Sequence, residues 1–158
     1  MLKYKKGADI MTNSIVGRQP ILDRNENIYA YELLFRSPLK EHVFNGDKAT
    51  AEVITNSLEF IGLNNITYGK RAFINFTEDL IKEEIPSLLP SEYISIEVLE
   101  DIEVDDCLLT SIRKLKNDGF QIVLDDFVFK TKFIPLIKIA DLIKVDFTLT
   151  KGPARKII

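Results

Sequence analysis

An α/β fold, an incomplete (β/α) barrel opened by an antiparallel β-hairpin, is predicted by three features of this 158-residue sequence. From Arg71 onward, short apolar runs alternate with helix-period segments, a pattern that implies parallel strands joined by right-handed crossovers. Ahead of them lie two β-rich runs separated by a polar turn, which fits an antiparallel hairpin. Polar residues then recur where the apolar runs end. In a barrel those ends share one face, so their side chains converge on a single mouth. The pattern accounts for roughly the first five to six strands of a barrel.

Met1 to Ile10 lack strand or helix periodicity, so residues 1–12 are expected to form a flexible extension, with Met11 an alternative start, ahead of one domain over 13–158. Ser14 to Leu22 and Ile28 to Arg36 form the hairpin around the turn Asp23 to Asn27. Between Asp47 and Ile61, apolar Ala51, Ile54, Leu58 and Ile61 recur at helical spacing, with Asp47 able to cap and Gly62 able to terminate. Arg71 to Asn75 is a strand, followed by a helix opening at Thr77 with Glu78 and Asp79 in its first turn. Tyr93 to Leu99 is the next strand, Asp105 to Asp118 the next helix, and Gly119 its stop. Phe120 to Leu124 is a strand, Thr131 to Ala140 a weaker helix carrying Pro135, and Asp141 to Val145 the last strand.

Composition narrows the function classes. The chain is 46% hydrophobic and 28% charged, with a net charge of −3 and lysines scattered rather than clustered. That balance suits a soluble globular domain and gives no electrostatic footprint for nucleic acid or an anionic membrane. Cys107 and His42 are the only cysteine and histidine, so a Cys/His zinc site and an internal disulfide are excluded, and any metal must be held by oxygen. No apolar run approaches the roughly 20 residues that cross a bilayer, and the start has no signal-peptide core; the expectation is a cytoplasmic protein.

The polar residues at the run ends are Asn75, Glu97, Asp125 with Asp126, and Asp146, while Glu32 interrupts the second hairpin strand. For any one of them, a helix cap or a surface position is as good a reading as a site residue. Together they describe a carboxylate-rich mouth. Crowded carboxylates repel and take up protons unless a cation compensates them, and hard oxygen ligands select Mg²⁺, Mn²⁺ or Ca²⁺. Adjacent aspartates at a strand end suit a metal pair, which in other enzymes clamps the oxygens of a phosphate ester, so phosphodiester hydrolysis is the chemistry suggested.

The ordered set Gln19-Pro20-Ile21, Tyr31-Glu32-Leu33-Leu34-Phe35-Arg36, Phe73-Ile74-Asn75-Phe76, Ile96-Glu97-Val98-Leu99-Glu100, Val123-Leu124-Asp125-Asp126-Phe127 and Ile143-Lys144-Val145-Asp146 resembles the EAL domain, a family of cyclic di-GMP phosphodiesterases and their degenerate relatives built as modified (β/α) barrels. The run RQPILDRNENIYAYELLFRS, with ATAEVI and GKRAFINFTEDL, is most similar to EAL domains that precede an HDOD domain. The resemblance implies that Glu32, Asn75, Glu97 and Asp125 ligate Mg²⁺ or Mn²⁺, with Asp126 shared with a second ion. It gives Lys144 contact with the reacting phosphate and water, supported by Asp146. It gives Gln19 and Arg36 dinucleotide binding, the latter through its planar fork of donors. Glu100 takes a supporting role.

Three departures bear on activity. Leu33 stands where the family's name motif has alanine, Val128 to Lys132 replace a glycine-rich stretch, and the chain stops about ten residues past Asp146, short of a full barrel of about 250 residues. The expectation is a truncated, degenerate EAL-type domain with a residual divalent-metal and nucleotide site and little or no hydrolysis. An active phosphodiesterase completed by a second chain, and a non-catalytic interaction module, are the alternatives. An open barrel edge leaves unpaired backbone groups, so self-association or cover by a missing C-terminal domain is expected.

Overall fold

The structure is a computed structural model, and it describes residues 15–36 and 62–145. The expected N-terminal extension and the helix expected over Asp47 to Ile61 lie outside the described residues.

Six strands form one curled sheet in the order of the sequence: β1 (Ile15–Leu22), β2 (Ile28–Arg36), β3 (Arg71–Phe76), β4 (Ile94–Val98), β5 (Gln121–Leu124) and β6 (Leu142–Ile143). β1 and β2 pair antiparallel, and every later pair is parallel. The partial α/β barrel and its opening hairpin are as the pattern of runs predicts. The hairpin turn is closed by Asp23, whose carboxylate accepts the backbone N–H groups of Asn25 and Asn27 at 2.8 and 2.9 Å. Both bonds favour the charged form and hold the Asp23 carboxyl below its ordinary range.

Between the strands run α1 (Leu63–Thr67), α2 (Glu78–Lys82), α3 (Asp106–Asn117) and α4 (Ile134–Ile137), with 3₁₀ turns at Ile85–Leu88 and Thr131–Phe133. α3 matches expectation to a residue at each end. Asp105 caps it by accepting Leu108 N–H at 2.7 Å, and its buried face carries Leu108, Ile112 and Leu115 at helical spacing. The weaker helix shrinks to one 3₁₀ turn and a single α-turn, as Pro135 cannot supply an N–H. The last strand also shrinks to two residues, although Lys144 N–H still reaches Leu124 C=O at 2.8 Å and Phe127 N–H reaches Lys144 C=O at 3.0 Å.

The period-2 pleat sorts side chains between two cores. Tyr31, Leu33, Ala72, Ile74, Phe76, Ile94, Ile96, Val98, Ile122 and Leu124 face the helices and form the main cluster with α3. Ala30, Phe73 and Val123 face the barrel interior, with Ile21 and Leu142 packed against them. All five residues of β4 are buried because helices cover one face and the barrel interior the other, although the interior positions are the polar Ser95 and Glu97. Each large side chain so buried contributes about 1.5–3 kcal/mol. On this interior face, polar residues are the exception that marks the site.

Candidate metal and nucleotide site

Glu32 lies on the interior face at the middle of β2, Asn75 and Glu97 on that face next to the C-terminal ends of β3 and β4, and Asp125 is the first residue beyond β5. Asn75 and Glu97 are direct neighbours in the β3–β4 register. Asp125 is held by its N–H to Val98 C=O at 3.0 Å, which continues the β4–β5 ladder past the strand. Lys144 is held in the same way beyond β6. The carboxylates of Glu32, Glu97 and Asp125 each offer an oxygen within 4.8 Å of the others, the one such acidic group found among the described residues.

Lys144 lies at their centre. Its Nζ donates to Glu32 Oε2 at 2.9 Å and Glu97 Oε1 at 2.7 Å, and contacts Asp125 Oδ1 at 2.7 Å as an ion pair without a well-directed hydrogen bond. Asn75 Nδ2 reaches Glu32 Oε1 at 3.5 Å, the long limit of such a bond. The side chain of Glu97 is fully buried, and burial pushes its carboxyl up to about 7 even though Lys144 pulls the other way. The same three carboxylates hold the Lys144 ammonium above its ordinary value against the desolvation that lowers it.

Three oxygens of the cluster, Asn75 Oδ1, Glu97 Oε2 and Asp125 Oδ1, are buried without a hydrogen-bond partner. Buried acceptors left unmet are costly, and here all belong to one group of hard oxygen donors. Such a set fits Mg²⁺ or Mn²⁺, whose ligands are carboxylate and amide oxygens. Glu32, Asn75, Glu97 and Asp125 are the residues able to hold one ion.

The other expected site residues fall at differing distances from this centre. Gln19 is directly opposite Glu32 in the hairpin register, so the two leave the sheet on one face, and Gln19 is exposed. Asp126 is exposed, with φ of 46°, and stands outside the three-carboxylate group. Paired charges at a strand end therefore separate: Asp125 keeps to the interior while the left-handed turn at Asp126 carries the next side chain outward. Glu100 is exposed in the turn after β4 and is also outside the group. Arg36 ends β2 across from Ile15; its side chain and all of Asp146 lie outside what the structure describes.

Sequence reasoning passed over the interior layer beneath the site, where Ser95 Oγ donates to Gln121 Oε1 at 2.7 Å. The signal was the polar Ser95 two residues before Glu97 in an otherwise apolar strand. It also passed over Arg18, which stacks between Tyr31 and Tyr68 at 5.2 and 4.6 Å from their centroids and donates to Ile66 C=O, bracing the hairpin against α1.

A partial (β/α) barrel, parallel after its opening hairpin, thus gathers three carboxylates, an amide and a lysine at one mouth, a set that could hold a divalent cation. No family model matches the chain. It is 37% identical over 151 residues to the uncharacterized protein YuxH of Bacillus subtilis, covering 90% of this chain and 37% of that protein. It is 33% identical over 144 residues to the cyclic di-GMP phosphodiesterase CdgJ of Vibrio cholerae, covering 87% of this chain and 33% of that one. In fold it is similar to the EAL-domain protein YkuI of Bacillus subtilis in complex with cyclic di-GMP and calcium, with a TM-score of 0.61 at 19% identity over 92% of this chain and 45% of that. It is similar also to Klebsiella pneumoniae BlrP1 in a manganese and cyclic di-GMP complex, with a TM-score of 0.57 at 20% identity over 87% and 41%. The chain has the fold of part of an EAL domain and resembles that family in its ordered motifs, and it spans about a third of the length of the curated relatives it matches. Among the described residues no helix is long and apolar enough to cross a membrane.

Proposed function

We propose that this chain is a cyclic di-GMP-binding EAL-type domain of the cytoplasm that holds one Mg²⁺ or Mn²⁺ ion through Glu32, Asn75, Glu97 and Asp125 and turns the nucleotide over little or not at all. The observation that carries the reading is the convergence, among the described residues, of Glu32, Glu97 and Asp125, with Glu97 Oε2 and Asn75 Oδ1 buried there and without a partner. The ion would polarise a bound phosphate there. Lys144 adds a cationic donor at the same mouth, and Gln19, on the face of Glu32, is placed to accept or donate to the nucleotide.

Low turnover is expected from the position of Asp126. Two-ion hydrolysis needs ions about 3.5–4 Å apart with a bridging carboxylate, and the residue the motif assigns to that bridge stands outside the acidic group. Support for the ligand comes from CdgJ, a cyclic di-GMP phosphodiesterase by name, and from YkuI, crystallised with that nucleotide. A second reading, a phosphodiesterase completed by another chain, is favoured by the position of Lys144 against three carboxylates, where a developing phosphate charge would be met. In that case the free edge of β6 in the described sheet is where a second copy would pair.

Incubation of the chain with cyclic di-GMP and Mn²⁺, then calorimetry and chromatography of the nucleotide, separates these. Mn²⁺-dependent binding without linear product is expected. Rapid hydrolysis lost in Glu32→Ala would establish the second reading, and neither binding nor hydrolysis would overturn both.

A further inference from the structure

We propose that Lys144 is an internal counter-ion for the carboxylate site, holding Glu32, Glu97 and Asp125 together until a divalent cation displaces its ammonium toward the mouth. The inference rests on the cation reading given above and adds how the site is loaded.

The geometry is the warrant. One Nζ stands within 2.7–2.9 Å of oxygens from all three carboxylates, donating hydrogen bonds to Glu32 and Glu97 and pairing by charge with Asp125. An ion bound by those same oxygens at roughly 2.0–2.2 Å would occupy the space of Nζ, so the two cations cannot share the position. Yet the lysine does not complete the site. One positive charge faces three carboxylates, and Glu97 Oε2 and Asn75 Oδ1 stay buried and unmet. The pocket therefore favours a cation with more charge and more coordination positions than an ammonium offers.

Displacement has somewhere to go. The Lys144 side chain is 26% exposed, against 16% for Glu32, 10% for Asp125 and none for Glu97, so the lysine is the member of the cluster most open to solvent. Its four-carbon stem is flexible, and a short swing carries the charge outward. Once outside the carboxylate cradle, Lys144 is a free donor for an anionic group. Cation loading would then create the phosphate contact as well as polarise the phosphate, which couples the binding of ion and nucleotide through one side chain.

Calorimetric titration of the full chain with MnCl₂ tests the competition. Lys144→Gln removes the resident charge and is expected to tighten Mn²⁺ binding by about tenfold or more relative to the natural chain. Equal or weaker binding by a folded Lys144→Gln chain would overturn the proposal while leaving the metal site in place. Absence of Mn²⁺ binding in both chains would overturn the proposal together with the cation reading. A measurement on the natural chain stands beside these in case the variant does not fold: acetylation of lysine amines, read peptide by peptide by mass spectrometry. Mg²⁺ is expected to raise labelling of Lys144 severalfold and leave Lys114 unchanged. Labelling of Lys144 that does not respond to Mg²⁺, in a chain shown by calorimetry to bind it, would refute displacement.

Discussion

Glu97→Gln should stabilise the metal-free protein at alkaline pH while abolishing its use of a cation. Burial raises the Glu97 carboxyl from its ordinary 4.5 to about 7, because the charged form has left water. The folded chain therefore keeps a proton that the unfolded chain releases over that window. Stability from this group is fully present below the unfolded value of 4.5 and is lost as pH rises through about 7. At about 1.4 kcal/mol per pH unit, the ionised carboxylate costs the fold about 3 kcal/mol above pH 7. Glutamine resembles the protonated acid, and its Oε1 can still accept from Lys144. Urea unfolding in EDTA should therefore show the variant more stable than the natural chain by about 2–3 kcal/mol at pH 8 and nearly equal at pH 4.5. A variant that is less stable than the natural chain at pH 8 would refute the reasoning, since it would mean that attraction to Lys144 outweighs desolvation.

The same geometry sets other outcomes. Mn²⁺ binding by the natural chain should strengthen as pH rises through about 7, since the ion needs the Glu97 carboxylate deprotonated; titrations at pH 6 and pH 8 check this. Asp125→Asn should weaken Mn²⁺ binding by about a hundredfold, whereas Asp126→Asn should leave it within about twofold, both read by calorimetry. Gly119 has φ of +95°, and an added Cβ would lie 3.2 Å from Ser91 Oγ, so Gly119→Ala should cost about 1–2 kcal/mol in a urea melt. Phe76→Ala empties a fully buried position between the strands and the helices and should cost about 3–5 kcal/mol in the same assay.

Much of this was legible in the residues themselves. The hairpin, the alternation of strands and helices, and α3 with its Asp105 cap are local signals, set by turn chemistry, helical spacing and a capping side chain. β6 and α4 were overestimated because their extent depends on Pro135 and on the groups that pack against them, not on the apolar count of DLIKV or FIPLIKIA. The cluster of Glu32, Asn75, Glu97 and Asp125 was foreseen from polar residues ending apolar runs, since a parallel sheet brings those ends to one face. The parting of Asp125 from Asp126 was not, because it turns on one backbone angle, φ of 46° at Asp126, that neither residue's identity dictates. Nor does spacing reveal that Lys144 turns inward to the acids, a choice made by three charges that meet only in the fold. Helix α1, with Gly62 at its N-cap at φ of 75°, was likewise missed: the glycine reads as a stop for the segment before it and serves as the start of Leu63–Thr67.

The proposed site would hold one divalent cation, not two. Mn²⁺ titration of the chain at pH 8, with free ion counted by electron paramagnetic resonance, addresses it most directly. Saturation at one ion per chain, abolished in Glu32→Ala, is expected. Saturation at two ions, or no saturable binding, would contradict it.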